Sequence, residues 1–449
     1  MRKLFALTLV SLMTCMSYAQ SGTGMERTAM EVAREMAPGW NLGNTMEGIN
    51  WRTNVAPIDE NYGIGTETNW QSTKTTADII RYVKAQGFRS IRIPCGWRCG
   101  HISDAATHTI DAAWMTRVKE VVDYCINEGL YVVLNDHYDG GWIQDRQNIE
   151  ATGEKKEEIK SVLANIWTQI ATAFRDYDEH LLFAGLNEPY AETQTATNNL
   201  IEYEQVFINA VRATGGNNEK RILIVQGPNT DIDKTCDYLA GKMPADPTPD
   251  RMMVEIHYYG PWQFWGMEKD EWWGKVFYYW GQGNHVEGST HNATTGEEDY
   301  MEAQLEKMKT RFQDNGYPVY IGEFGANWRT ITGAGESQEK HNASIKSHYK
   351  TLIQKSMERG MVPVVWDTNY LGSPSMTIID RKNLKIHNPY MMEGIKEAVE
   401  AVEATGITTI HDTGRQTDGY IYDLQGRRVN SQAIGKGIYI VDGKKYIKK

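Results

Sequence analysis

The 449-residue sequence predicts an α/β fold, a (β/α)8 TIM barrel followed by a short C-terminal β-hairpin appendage. Three observations lead to this prediction. Eight short apolar runs rich in β-branched residues alternate with longer amphipathic stretches. The runs are continuously apolar, as in parallel strands covered on both faces. Several amphipathic stretches end at a glycine, as helices often do. An open, doubly wound sheet is the alternative arrangement.

The eight apolar runs are predicted to be strands. In chain order they span residues 39–44, 90–94, 130–135, 181–186, 221–225, 252–256, 318–321 and 361–366. Eight such units in series favour closure of the sheet into one barrel, and barrels of about 250 to more than 400 residues fold as a single domain.

The predicted helices lie between the strands, near 74–87, 111–128, 155–175, 196–215, 299–315, 337–359 and 390–404, with a weaker one near 231–240. Apolar residues at helical spacing, such as Val118, Val121 and Cys125, indicate one buried face. Gly87 and Gly129 stand where a left-handed residue would end the helix.

Both ends of the chain differ from the barrel region of about 25–405. Residues 1–19 carry a basic start, an apolar run and a small residue at Ala19, which predicts a cleaved secretory signal peptide and a secreted or cell-surface protein. Lipid attachment at Cys15 is the less favoured alternative. Residues 407–449 contain two strand-like runs, 419–424 and 437–441, with a turn at Gly426, which predicts a β-rich tail.

Composition excludes several classes of function. The 47 basic and 58 acidic residues give a net charge of −11, and no basic block is present, which argues against nucleic-acid binding. No stretch after the signal peptide has the roughly 20 apolar residues that cross a bilayer. The 14 Trp and 24 Tyr outnumber the 9 Phe, and such rings suit wet surfaces and sugar faces.

The cysteines and acidic residues show no metal-binding pattern. Cys95, Cys99, Cys125 and Cys236 lack the paired spacing of a zinc site, and no calcium-loop spacing is present. Cys95 and Cys99 could form a disulfide or remain as buried thiols. We therefore expect no metal and no cofactor.

The working residues of such a barrel lie at the C-terminal ends of its strands. The polar residues at these ends are Arg92, Asn135 to Tyr138, Asn187 and Glu188, His257 to Tyr259, Glu323, and Trp366 with Asp367. Glu188 and Glu323, at the ends of strands four and seven, form the pair of carboxylates that hydrolysis of a glycosidic bond requires. A single strand-end glutamate would be weak evidence, because most such residues form salt bridges.

A long segment after strand six is rich in Trp, Tyr and Phe between residues 262 and 280. Long connections without regular structure are usually functional. We interpret the segment as an aromatic wall for additional sugar units, with Trp262 as the preferred single residue.

These motifs resemble glycoside hydrolase family 5 of the clan A barrels, over about residues 25–405. Asn187-Glu188-Pro189 is similar to the acid/base motif of that family, and Ile321 to Gly325 to its nucleophile strand. Arg92, His137, His257, Tyr259 and Trp366 fall on the remaining active-site positions. The motif at Trp40 to Thr45 resembles the endoglucanase and xyloglucanase branch, subfamily four. Tyr138 departs from the pattern, since many relatives have a second histidine there.

The resemblance implies a retaining endo-β-1,4-glucanase that cleaves internal bonds of plant cell-wall β-glucans. Glu188 would be the acid/base, in a setting that raises its pKa, and Glu323 the nucleophile, kept ionised by Arg92 and Tyr259. Asn187 and His137 would bind sugar hydroxyls, His257 would orient Glu188 or its water, and Trp366 would lie beneath the sugar. A xyloglucanase, mannanase or xylanase on the same scaffold, or a non-catalytic glycan-binding protein, are the alternatives.

The tail resembles the final strands of the C-terminal domain that directs type IX secretion in Bacteroidetes-type bacteria. The similarity rests on Ile421 to Arg427 and on Gly437 to Val441. It implies secretion machinery as a partner of the tail. A small β-appendage packed on the barrel is the alternative.

Overall fold

The computed structural model describes residues 24–49 and 58–405, and in the tail residues 407–409, 421–423, 428–429, 436–441 and 444–448. The predicted signal peptide and Cys15 lie outside the described residues. In the described part, no helix is both long and apolar enough to span a membrane.

The eight predicted strands form the closed barrel. They are β1 (Gly39–Asn41), β2 (Ser90–Ile93), β3 (Tyr131–Asn135), β4 (Leu181–Ala184), β5 (Leu223–Gln226), β6 (Met252–Tyr258), β7 (Val319–Phe324) and β8 (Val362–Val365). All neighbouring pairs are parallel, and β1 pairs with both β2 and β8, which closes the sheet. The barrel prediction is confirmed, and the open sheet is excluded.

The helices follow the strands as the sequence predicts. They are α1 (Ala29–Met36), α2 (Ala77–Ala85), α3 (Ala112–Asn127), α4 (Arg146–Ile149), α5 (Gly153–Ala173), α6 (Gln194–Ala213), α7 (Ile232–Lys234), α8 (Trp262–Trp265), α9 (Glu298–Arg311), α10 (Gln338–Glu358) and α11 (Pro389–Thr405). A π-helical turn, Thr235–Leu239, continues the short α7. The weak helix expected at 231–240 is therefore present but irregular.

Local signals fix the helix ends. The Asp111 carboxylate accepts a hydrogen bond from the backbone N–H of Trp114, and the Thr76 hydroxyl accepts one from Ile79, so both residues cap free amide groups. Gly87 and Gly129 follow α2 and α3 with φ values of 101° and 68°. Residues with a side chain rarely adopt this conformation, and the predicted stops are confirmed.

The core has two parts. A large cluster fills the space between the barrel and its surrounding helices. A smaller cluster lies inside the barrel, where apolar side chains of the strands, such as Val133 and Met253, pack with the buried face of α1. Ser90, near the start of β2, donates a hydrogen bond to the carbonyl of Met36. Helix α1 thus closes the N-terminal end of the barrel and leaves the C-terminal end for a site.

All four described cysteines are buried free thiols. Burial raises the pKa of Cys125 above its ordinary value, and also that of Cys95 and Cys99. The question that the sequence left open for Cys95 and Cys99 is therefore answered in favour of two thiols.

The tail contains more strands than the sequence predicts. Five segments, β9 (Ile407–Thr409), β10 (Ile421–Asp423), β11 (Arg428–Val429), β12 (Gly437–Val441) and β13 (Lys444–Lys448), form a sheet in the order β9-β13-β12-β10-β11. β10 with β11 and β12 with β13 pair antiparallel, as in hairpins, whereas β9 pairs parallel to β13. The expected β-rich tail is present. Its lysine-rich end, Lys444–Lys448, also forms a strand, which the sequence did not predict.

Candidate active site

The strand ends bring most of the predicted residues into one cleft. Arg92 on β2 lies at its base and is fully buried. One of its terminal nitrogens donates to Glu323 Oε1 at 2.8 Å, and the other to Asn187 Oδ1 at 2.7 Å. A single guanidinium therefore links the end of β7 with the loop after β4, and this fixes both glutamate-bearing segments.

Glu323 is held by donors on both oxygens. Arg92 contacts Oε1, and the Tyr259 hydroxyl donates to Oε2 at 3.0 Å. Burial and the neighbouring Glu323 raise the pKa of Tyr259 well above its ordinary value, so this hydroxyl keeps its proton. The Glu323 side chain therefore faces one positively charged donor and one neutral donor.

Glu188 is bound to His257. The imidazole Nδ1 lies 2.7 Å from Glu188 Oε1 and 3.7 Å from Glu323 Oε2. The side chain of Glu188 is 46% exposed, whereas that of Glu323 is 7% exposed. Glu188 therefore faces the open cleft, and Glu323 lies at its floor. One oxygen of each carboxylate and Nδ1 of His257 all lie within 4.8 Å of one another.

The charge on Glu188 differs from the expectation. Burial raises the pKa of Glu188, but the hydrogen bond and positive charge of His257 outweigh burial, and the pKa falls below its ordinary value. Burial lowers the pKa of His257, yet the carboxylates of Glu323, Glu188 and Glu255 raise it to about 9. The expected rise for Glu188 is therefore wrong, and the two shifts favour the proton of the pair on His257.

Glu255, which the sequence analysis did not single out, is fully buried beneath His257. Its Oε1 lies 3.1 Å from Nη2 of Arg92 and 3.2 Å from Nε2 of His257. Burial lowers the pKa of Arg92, but Glu255 and Glu323 raise it above the ordinary value. The signal in the sequence was a lone acidic residue in an apolar strand, two positions before His257 and hence on the same face.

Gln144 is a second residue that the sequence analysis missed. Its side-chain oxygen accepts hydrogen bonds from the backbone N–H groups of Asn187 and Glu188, and its amide donates to the carbonyl of His137. It thereby joins the loops after β3 and β4. Nothing in its local sequence distinguishes it from a surface glutamine.

His137 and Trp366 form a stacked pair of rings in the site. Their rings are nearly parallel, with 5.9 Å between centroids and 9° between planes. Burial, Arg92 and His257 lower the pKa of His137 well below its ordinary value, so the imidazole is neutral. Gly43 leaves room for Trp366, because a Cβ at this glycine would lie 3.0 Å from the indole. A neutral hydrogen-bond donor beside a flat aromatic ring could contact the hydroxyl groups and the face of a sugar.

The aromatic segment after β6 divides into buried and exposed rings. Phe264, Phe277, Tyr279 and Trp280 are buried and anchor the segment to the barrel. Trp265 packs on Tyr259 with 4.5 Å between ring centroids, and Trp262 meets Trp265 edge-on at 4.8 Å.

A line of rings therefore runs from Tyr259, which contacts Glu323, to Trp262, which is 49% exposed. A cavity of about 270 Å³ opens beside Glu188 and is lined also by Asn229, Asp231 and Tyr300. These surfaces could contact a chain longer than one sugar.

The grouping of Glu188, His257 and Glu323 would also suit a metal ion. In this structure, however, Nδ1 of His257 is hydrogen-bonded to Glu188, and Arg92 supplies a positive charge at Glu323. We therefore treat the cluster as a site for acid–base and nucleophilic chemistry.

Comparison with known proteins identifies the family of the chain. Residues 55–372 match the Cellulase family, glycosyl hydrolase family 5. Endoglucanase A of Paenibacillus barcinonensis is 32% identical over 387 residues, which are 83% of this chain and 90% of the relative. The xyloglucan-specific endo-beta-1,4-glucanase of Bacteroides ovatus is 34% identical over 396 residues, covering 85% of this chain and 72% of the relative.

The chain is also similar to a solved structure. A xyloglucan-specific beta-1,4-glucanase from a ruminal metagenomic library, in complex with XXLG, is 45% identical, with a TM-score of 0.75. The match covers 84% of this chain and 97% of that chain. Together with the family match, these similarities show that the chain is a glycoside hydrolase and belongs to glycosyl hydrolase family 5.

Proposed function

We propose that the protein is a retaining endo-β-1,4-glucanase that acts on plant cell-wall β-glucans, with Glu188 as acid/base and Glu323 as nucleophile. The observation that carries the proposal is the approach of one oxygen of each carboxylate to within 4.8 Å. Retaining enzymes hold their two carboxyl groups about 5–5.5 Å apart, whereas inverting enzymes need about 6.5–9.5 Å to admit a water molecule.

In the first step, an oxygen of Glu323 attacks the anomeric carbon as the bond to the leaving oxygen breaks. Arg92 and Tyr259 hold the carboxylate in one orientation. As the new ester bond forms, Glu323 loses its negative charge, and the leaving oxygen takes a proton from Glu188.

The proton for this step comes from the His257–Glu188 pair. It moves from Nδ1 to Oε1 across their 2.7 Å hydrogen bond, and Glu188 passes it to the leaving oxygen. Sugar bound over the half-exposed Glu188 would remove water from the carboxylate, and such desolvation favours its protonated form. His257 is then neutral and Glu188 is a carboxylate.

The second step restores the starting state. Glu188 accepts a proton from a water molecule, whose oxygen attacks the anomeric carbon and releases Glu323 as a carboxylate. The proton then returns to His257, because Glu323 is again negatively charged. The chemistry requires no cofactor.

The remaining predicted residues form our proposed sugar-binding site. Asn187 and the neutral His137 bind hydroxyl groups, and Trp366 provides the flat surface beneath the reacting sugar. Trp262 contacts a more distant unit of the chain. The spacing from Tyr259 through Trp265 to Trp262 supports an elongated cleft, as an endo-acting enzyme requires.

Xyloglucan is the second candidate substrate, because the 45% identical structure is that of a xyloglucan-specific enzyme. A broad-specificity GH5-4 endoglucanase from Ruminococcus champanellensis is 28% identical with a TM-score of 0.69, and this similarity supports membership of subfamily four. Mannan and xylan are weaker alternatives. A non-catalytic glycan-binding role gives no reason to retain two opposed carboxylates.

We further propose that the chain is exported through its N-terminal signal peptide, and that its tail contacts secretion machinery. The sequence patterns at 1–19 and 419–441 support this proposal.

Proton NMR of the first products from a β-glucan oligosaccharide tests the mechanism. Two inversions at carbon return the β-anomer, and the α-anomer should appear only as mutarotation proceeds. If the α-anomer formed first, Glu323 would be a general base, and our assignment of roles would be wrong. Reducing-end assays on cellulose-like, mixed-linkage, xyloglucan, mannan and xylan substrates would identify the preferred glycan.

A further inference from the structure

Glu255 occupies a position from which one carboxylate oxygen reaches both halves of the site. Its Oε1 contacts Arg92, which donates a hydrogen bond to Glu323. The same oxygen contacts His257, which is hydrogen-bonded to Glu188. The nucleophile and the acid/base thus share one buried anchor.

The surroundings of Glu255 hold this carboxylate firmly. Gln226 donates from its side-chain amide to Oε2 at 2.6 Å, so both oxygens are bound. On the adjacent strand, Gly322 has no side chain, and a Cβ there would lie 1.9 Å from Oε1. The fully buried carboxylate therefore needs a glycine on β7 to reach its partners.

We propose that Glu255 is a positioning residue for the glycosidase reaction proposed above. Its negative charge keeps His257 able to hold the proton destined for Glu188 at neutral and mildly alkaline pH, and its Oε1 aligns Arg92 with the nucleophile. This role rests on the proposed function and extends it to a residue that does not contact the sugar.

The charges around His257 show why Glu255 matters. Glu188 faces the imidazole from the end of β4, Glu323 from β7 and Glu255 from below on β6. The other ionisable groups around this cluster are Arg92, His137, Tyr259, Tyr320 and Glu204.

Three carboxylates therefore oppose the positive charges of Arg92 and His257. Unlike Glu323 and Glu188, Glu255 neither attacks the sugar nor protonates it in the proposed reaction. Removing its charge should lower the pKa of His257 from about 9. The His257–Glu188 pair would then lose its proton at a lower pH.

The test is the pH dependence of kcat/KM for Glu255→Gln, measured on a soluble β-glucan. We expect the alkaline limb to move down by about one pH unit or more, because an opposite charge this close shifts a pKa by about 1–3 units. Glu255→Asp, which retains the charge, should keep its alkaline limb closer to that of the wild type, even where its rate is lower.

The matched control is Gln226→Met, which removes the neutral hydrogen bond to Glu255 and leaves the charge. It should lower the melting temperature and the rate equally at all pH values. A uniform loss for Glu255→Gln as well, with no shift of the alkaline limb, would overturn the proposal and leave Glu255 a purely structural residue.

NMR titration of the histidines, of which the chain has 11, separates this proposal from the function itself. The wild-type His257 resonance, assigned by its loss in His257→Gln, should titrate well above neutral pH, and at lower pH in Glu255→Gln. A wild-type midpoint below about pH 7 would overturn the proposal, even if Glu255→Gln failed to fold. Absence of hydrolysis on every glycan would instead contradict the proposed function.

Discussion

Replacing Glu188 by alanine should separate the two steps of the reaction. In the described structure, the side chain of Glu188 is hydrogen-bonded to His257, and this side chain is 46% exposed. The variant therefore loses the acid/base without opening a cavity in the core, and we expect its melting temperature to remain within a few degrees of the wild type.

The expected loss depends on the leaving group. A positioned acid or base contributes about 10²- to 10⁴-fold, so turnover of a glucan, whose sugar leaving group needs a proton, should fall by about that factor or more. A dinitrophenyl β-cellobioside carries a leaving group that needs no proton. Its first step should proceed at nearly the wild-type rate, and the glycosylated enzyme should accumulate as a burst.

Azide completes this test. It is an anionic nucleophile that needs no general base, and the space left by Glu188 is open to solvent. Adding azide should restore turnover of the activated substrate and yield a β-glycosyl azide, whereas Glu323→Ala should give no such product. Equal losses on both substrates, or no response to azide, would refute the assignment of Glu188.

Four further predictions follow from other parts of the molecule. Tyr259→Phe should lower kcat/KM by about 10- to 100-fold, since a hydrogen bond to a charged group contributes about 1.5–3 kcal/mol; an unchanged rate would contradict its contact with Glu323. Trp262→Ala should raise KM on polymeric glucan more than on cellobiosides, whereas Trp272→Ala, a 94% exposed indole outside the line of rings, should have a smaller effect; equal effects would refute the proposed cleft. The buried Glu204 has its pKa raised by burial to about 8, so the folded protein binds its proton more tightly than the unfolded chain, and stability is lost as pH rises from about 4.5 to 8. Glu204→Gln should therefore raise the melting temperature at pH 8.5 more than at pH 4.5, and an equal change at both would contradict this origin. If the tail is a separate unit, as the sequence predicts, a chain ending at residue 405 should keep its specific activity within about twofold while its export changes; loss of solubility would show that the tail is part of the fold.

The sequence was sufficient for the barrel because each βα unit carries its own signals. The apolar run of β3 lies between the glycine that ends α3 and the polar residues that follow Asn135, so both its ends are marked locally. The tail was predicted less completely. Its last strand, Lys444–Lys448, contains three lysines and only two other residues, Tyr446 and Ile447. Its pairing with β9 and β12 is a long-range property that local composition does not reveal.

Most of the predicted site residues are polar side chains at the ends of the strands, and this placement has a geometric basis. In a parallel barrel all C-terminal ends meet at one mouth, so residues as distant in sequence as Arg92 and Glu323 lie within 2.8 Å. A search limited to strand ends misses Glu255, which lies inside β6, and Gln144, which lies in the loop after β3.

The protonation state of Glu188 could not be predicted from the sequence. The chemistry of a retaining enzyme requires a proton on the acid, and we therefore expected surroundings that raise the pKa of Glu188. In the structure, His257 receives negative charge from three sides and so holds the proton itself, 2.7 Å from Glu188. A pKa depends on every charge within a few ångströms, and these charges come from β2, β4, β6 and β7 at once. The sequence determines which groups are present, but only their spacing decides which of two bonded groups holds the proton. In our proposed mechanism, proton transfer to Glu188 therefore accompanies substrate binding.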